Sequence, residues 1–200
     1  MNKDFLIAVT GDKGGVGKST IAALLAEWLL CQGRSLRIVD TDPNQTTQTW
    51  VDKCTGFGRT ISTPDAAITI VDTAGTSGSS LTKYIRHADL ILVPFKPHVA
   101  DLEVVVGWFL SLKESLQSRV LFVPNMLSNT KEQRAGVAEL EAVIKEETRG
   151  QLLPGLSERK AVYPPILNGS AKNFFDTSID YKTRDETKAL LTVITQLVNN

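Results

Sequence analysis

The chain has 200 residues, and its 22 Lys plus Arg balance 22 Asp plus Glu, giving a formal net charge of zero. With 42% hydrophobic and 22% charged residues it reads as an ordinary globular domain able to bury one sizeable core. The charge balance excludes a bulk attraction to nucleic acid or membrane, and two isolated cysteines, Cys31 and Cys54, are too few for a zinc or iron–sulfur site within one chain.

No apolar run approaches the roughly 18–20 residues that cross a bilayer, and the apolar start is too short for a secretory signal. These features predict a single soluble domain over 1–200 in the cytoplasm. Residues 5–10 form a short, β-branched apolar run closed by a Gly-rich turn, the pattern of a buried strand. Residues 18–30 are dense in helix formers, with Gly33 as the stop. Further short apolar runs lie at 36–39, 67–71, 90–93 and 120–123, the last two each preceded by a polar, helix-like stretch. A helix is predicted over 130–148, with Gln133, Val137, Leu140 and Ile144 towards the core. A short apolar piece follows Gly150, Pro164-Pro165 and Asn168-Gly169 interrupt regular structure, and a closing helix is predicted over 183–198. Strands alternating with helices indicate an α/β fold, a mainly parallel twisted sheet with helices on both faces.

The segment Gly11-Asp12-Lys13-Gly14-Gly15-Val16-Gly17-Lys18-Ser19-Thr20 joins the first strand to the first helix. A triphosphate must exchange its water shell for other donors, and backbone N–H groups at a helix N-terminus supply them. Glycines let the main chain wrap closely enough. Lys18 suits the β and γ phosphates, Ser19 offers a hydroxyl to Mg²⁺, and Thr20 suits an inner phosphate. The strict G-x-x-x-x-G-K-[ST] pattern fails at one place, where Asp12 replaces the first glycine. Lys13 has two readings: a solvated loop lysine, or a second cation aimed at phosphate charge. Asp40 and Asp42 follow the second strand and Asp72 the third. At the carboxyl edge of a parallel sheet such carboxylates can hold Mg²⁺ or orient water, or merely end strands and cap helices.

KGGVGKS resembles the deviant Walker A motif of the ParA/MinD-type P-loop ATPases, in which the early lysine is a signature. The resemblance implies ATP and Mg²⁺ as cofactors, an ATP-dependent homodimer, and Lys13 reaching the partner's nucleotide. Many members lack the first glycine, so Asp12 is compatible. Asp40-Thr41-Asp42-Pro43-Asn44-Gln45 resembles the switch segment, implying that Asp42 positions the hydrolytic water and Asp40 supports the metal site. Asp72-Thr73-Ala74-Gly75 resembles the Walker B segment, with Asp72 acting on Mg²⁺ through water. Pro94-Phe95-Lys96-Pro97 and Asp101 resemble the family's P-x-x-P-x-x-x-D stretch. Asn125 stands where many members place a residue reading the adenine edge, or it simply ends its strand.

Arg159, Tyr163, Ile166-Leu167-Asn168-Gly169, Phe174 and the closing helix resemble the ending of small ParF-like plasmid partition ATPases, which lack an added DNA-reading helix-turn-helix. The C-terminal stretch is not basic and amphipathic, which argues against a MinD-like membrane anchor. The cysteine positions argue against iron–sulfur scaffolds, and the scattered tyrosines against the related tyrosine kinases. The resemblance therefore implies an ATP hydrolase of DNA partition, nucleoid-associated, binding DNA of any sequence and stimulated by a ParB-like adaptor. Arg159, Lys160 and Lys172 form a candidate DNA patch or an ordinary solvated face. Alternatives of the same chemistry position a protein cargo, and a different class would be a metabolic P-loop enzyme.

Overall fold

A computed structural model describes residues 4–11, 13–74 and 79–199, the side chains of 79–82 excepted. Asp12 and Gly75, both singled out above, lie outside the described residues. Six parallel strands, β1 (Phe5–Val9), β2 (Leu36–Asp40), β3 (Ile68–Asp72), β4 (Leu90–Phe95), β5 (Val120–Pro124) and β6 (Gln151–Leu152), form one sheet in the order β2-β3-β1-β4-β5-β6. The helices are α1 (Lys18–Cys31), α2 (Thr46–Gly56), α3 (Ser79–His87), α4 (Val99–Ser111), α5 (Glu114–Gln117), α6 (Lys131–Glu147) and α7 (Tyr181–Asn199).

Period-two alternation divides the strands' side chains between two cores. Ile7, Val9, Leu90, Leu92, Leu121 and Val123 face α1, α2 and α7. Their neighbours Ala8, Ile91, Val93, Phe95, Val120 and Phe122 face Ile85 of α3, Leu102, Val105 and Phe109 of α4, and Leu140 of α6. Burial on both faces explains why these strands read as continuous apolar runs rather than as alternating ones.

Gly33, at φ 74, ends α1 as expected: Arg34 N–H donates to the Leu29 carbonyl at 3.0 Å and Gly33 N–H to that of Leu30 at 2.9 Å, a Schellman stop. Thr130 caps α6 by accepting the Gln133 N–H at 3.2 Å. Gln133 is buried because its Oε1 accepts Ser128 N–H at 2.7 Å, holding the turn after β5 onto the helix.

Register sets the site. Val9 pairs with Asp72 and Asp40 with Asp72, so the three strand ends share one edge. The chain leaves β1 for β2 on one side, while β4 lies on the other. The end of β1 is therefore the topological switch point, where open α/β sheets bind ligands.

Candidate functional site

The loop after β1 enters α1 through Gly17, whose φ of 96 and ψ of 22 place it in the left-handed region. A Cβ on Gly17 would lie 2.3 Å from Asn125 Nδ2, so only glycine fits. Asn125, buried at the end of β5, donates its amide to the Val16 carbonyl at 2.8 Å. Its first role is thus to tie the loop to the sheet. Of its two readings, base contact or strand end, neither included this bond; one amide N–H is committed to Val16.

Gly14 and Gly15 lie exposed on the loop, and Gly15 has a φ of 71. Beneath them Lys18 is buried, with its ammonium donating to the Lys13 carbonyl at 3.0 Å. Lys13 lies at the lip, its side chain 38% exposed, paired with Asp101 in the first turn of α4 and donating to the Ala100 carbonyl at 3.2 Å. Within one chain, then, the early lysine is held by the aspartate of the P-x-x-P-x-x-x-D stretch. The lysine side of the pair is open to solvent, while Asp101 is only 15% exposed.

A pocket of about 500 Å³ opens over the loop, lined by Gly14, Lys18 and Ser19 on one side and Asp42 and Thr46 on the other. A second, of about 350 Å³, continues past Gly17 and Thr20, which line both, to Lys96, Asn125, Arg159 and Tyr163. One pocket is lined by amide donors, an ammonium and a carboxylate. The other, bounded by Ile21, Met126 and Leu156, is more apolar. Side by side they have the sequence of surfaces a nucleotide presents, phosphates then base.

The carboxylates divide their work. Asp40 accepts Asp42 N–H at 2.9 Å through one oxygen, and Thr47 and Gln48 N–H at 2.8 and 3.0 Å through the other. It therefore caps α2 and shapes the turn before it. This capping is a role the sequence did not indicate for Asp40, which also stands beside Asp72 at the strand edge. Asp42 accepts Asn44 N–H at 2.9 Å and stays partly open on the pocket wall. Asp72 is 1% exposed; its Oδ2 accepts the Thr47 hydroxyl at 2.6 Å, while its Oδ1 has no hydrogen-bond partner among the described residues. Burial pushes its carboxyl from 3.8 up to about 6, with the hydroxyls of Thr47 and Ser19 and the Lys18 ammonium pulling back and Asp40 adding to the rise. A buried carboxylate oxygen left unpartnered beside a serine hydroxyl is a hard, oxygen-only donor set that fits Mg²⁺ carried in by phosphates. Consistently, among the described residues no group of three His, Cys, Asp or Glu is placed to hold a metal by itself.

Two residues of the expected DNA patch have other partners. Arg159 Nε donates to Glu186 Oε1 at 2.8 Å, and Lys160 lies 3.3 Å from Glu158. Both line the apolar pocket, and the Lys160 side chain is 83% exposed. Lys172 stands apart from them on a different cavity. Thr47, to which the sequence alone assigns no role, is fully buried against Asp72; a threonine in the first turn of a helix with little apolar periodicity carries no distinguishing signal.

Strand order, glycine loop, buried lysine and paired pockets define a P-loop nucleotide-binding α/β domain. Residues 7–170 match the model of the CobQ/CobB/MinD/ParA nucleotide-binding domain, and the chain belongs to that family. It is 30% identical over 115 residues to Protein ParA of Rhizobium radiobacter, a match spanning 50% of this chain and 52% of that protein. It is 28% identical over 204 residues to the maintenance of carboxysome distribution protein A of Gloeobacter kilaueensis, spanning 88% of this chain and 90% of the relative. The septum site-determining protein MinD of Pyrococcus horikoshii, complexed with Mg-ADP, superposes with a TM-score of 0.70 at 14% identity over 97% of each chain. No helix among the described residues is long and apolar enough to cross a membrane.

Proposed function

We propose that this protein is a Mg²⁺-dependent ATP hydrolase that works as a ParA-type switch, dimerising on ATP and leaving DNA when ATP is hydrolysed. The observation carrying this reading is Lys13: a second loop cation, next to Gly14 of the phosphate pocket, whose ammonium is paired with Asp101 and the Ala100 carbonyl while Lys18 serves the loop itself. A second chain's nucleotide offers that cation a stronger anion. Lys18 and the loop amides from Gly14 to Ser19 would bind the chain's own phosphates, with Thr20 beside the inner ones. Ser19 and Asp72 would hold Mg²⁺, which when bound supplies charge neutralisation across the β and γ phosphates. Asp42, open on the opposite wall, would orient the attacking water.

In this reading the dimer binds DNA without regard to sequence, because doubling the phosphate contacts raises avidity steeply, and a ParB-like adaptor speeds turnover. A second reading, positioning of a protein cargo, is favoured by the carboxysome-distribution relative, which is matched over 88% of the chain. ATP turnover measured with and without DNA tests the first: stimulation or ATP-dependent retention on DNA supports partition, and no effect of DNA contradicts it. Lys18→Ala and Lys13→Ala are both expected to abolish turnover.

A further inference from the structure

We infer that Glu186, on the C-terminal helix and far from the phosphate loop in sequence, is a positioning residue for the nucleotide base. This rests on the reading of the 350 Å³ pocket as the base site. Three residues that line that pocket, Ser157, Arg159 and Tyr163, converge on this one carboxylate. The Ser157 hydroxyl donates to Oε2 at 2.8 Å, Arg159 Nε to Oε1 at 2.8 Å, and the Tyr163 hydroxyl to Oε1.

The backbone alone does not fix this wall. Up to Glu158 the segment is tied to the strand edge, through Leu156 N–H to the Pro124 carbonyl and Glu158 N–H to the Leu127 carbonyl, both at 2.9 Å. Beyond it the backbone bonds are local, Val162 and Tyr163 N–H both returning to the Arg159 carbonyl. Apolar packing anchors Tyr163 and Val162 against the core, and the side-chain bonds to Glu186 add the polar restraint that orients Ser157, Arg159 and the Tyr163 hydroxyl on the pocket wall. Glu186 is itself well placed to do so, since its side chain is 17% exposed and its helix neighbours Thr183, Thr187 and Leu190 are fully buried. A guanidinium held flat by a carboxylate is a surface on which a purine ring stacks, and a wall fixed in advance spares binding the cost of ordering it.

The consequence is selective: losing Glu186 loosens the base wall and leaves the phosphate loop untouched. Titration calorimetry of the wild type and Glu186→Ala with Mg·ATP, and with inorganic tripolyphosphate plus Mg²⁺, separates the two, because the second probe carries phosphates and no base. The expected result is about tenfold weaker ATP binding in the variant, with tripolyphosphate within about twofold of wild type. Tyr163→Phe and Ser157→Ala, each removing a single hydroxyl, are expected to lower the ATP-to-tripolyphosphate preference about threefold. They carry the test alone if Glu186→Ala does not fold. A preference unchanged from wild type in the variants that fold overturns the positioning role while leaving the nucleotide site intact. A wild type that binds ATP no better than tripolyphosphate overturns the base-pocket reading and this inference with it.

Discussion

Substituting Gly17 by alanine tests the packing of the phosphate loop against the sheet. Two separate costs arise. A φ of 96 puts alanine in the left-handed region, costing roughly 1–2 kcal/mol, offset by the ~0.4–1 kcal/mol that alanine gains by restricting the unfolded chain. The new Cβ would stand 2.3 Å from Asn125 Nδ2, displacing the amide from the Val16 carbonyl and leaving buried groups unpaired, about 1–3 kcal/mol more. The net expectation is a loss of about 2–3 kcal/mol, read as a lower urea midpoint with an unchanged slope. The steric part depends on Asn125 and the backbone part does not. In an Asn125→Ala background, therefore, Gly17→Ala should cost about 1–2 kcal/mol less than in the wild type. Equal costs in the two backgrounds would show that the loop does not bear on Asn125, and the account of why glycine is required there would fail.

Asp72→Asn should stabilise the ligand-free protein in a pH-dependent way. Burial raises the Asp72 carboxyl from 3.8 to about 6, so between those values the native state binds more protons than the unfolded one and stability falls as pH rises. The gain from asparagine should be absent below pH ~4 and reach a plateau of about 3 kcal/mol above pH ~6, by denaturation across that range. Mg²⁺ with nucleotide should narrow the gap by giving the carboxylate its partner. Arg59→Ala should cost about 3–5 kcal/mol, because it strands the Glu27 carboxylate, whose side chain is 3% exposed and whose oxygens lie 2.9 and 2.6 Å from the guanidinium. Adding Glu27→Gln should recover most of that loss in a thermal melt. For Glu186, burial raises the carboxyl but the hydrogen bonds from Arg159, Tyr163 and Ser157 together hold it below its usual 4.5. The stability lost in Glu186→Gln should accordingly be full near neutrality and shrink as pH falls below 4.5 and through the lowered native value.

The strands and the loop were legible because their signals are local. Short apolar runs, closed by glycine or aspartate in β1 to β3, marked β1 to β5 to within a few residues, and the doubled-lysine glycine loop marked both fold and ligand. The first strand stops one residue earlier than expected, since Thr10 already turns into the loop. What escaped notice depends on partners distant in the chain. The capping bonds of Asp40 were not legible because α2, whose amides it caps, has too little apolar periodicity to announce itself. The Arg159–Glu186 pair was not legible because Glu186, 27 residues on, comes beside Arg159 only when α7 packs. Thr47 and Glu186 gave no sign at all: an ordinary threonine and an ordinary helix glutamate acquire their roles from burial alone.

The central claim is that Lys13 completes a neighbouring chain's nucleotide site. Light scattering of Asp42→Ala with Mg·ATP, alone and combined with Lys13→Ala, tests it most directly. Asp42→Ala is expected to bind ATP and persist at twice the 21.8 kDa chain mass, falling to the single-chain mass when Lys13 is also replaced. A stable dimer without Lys13, or a single-chain mass for Asp42→Ala saturated with ATP, would contradict the account.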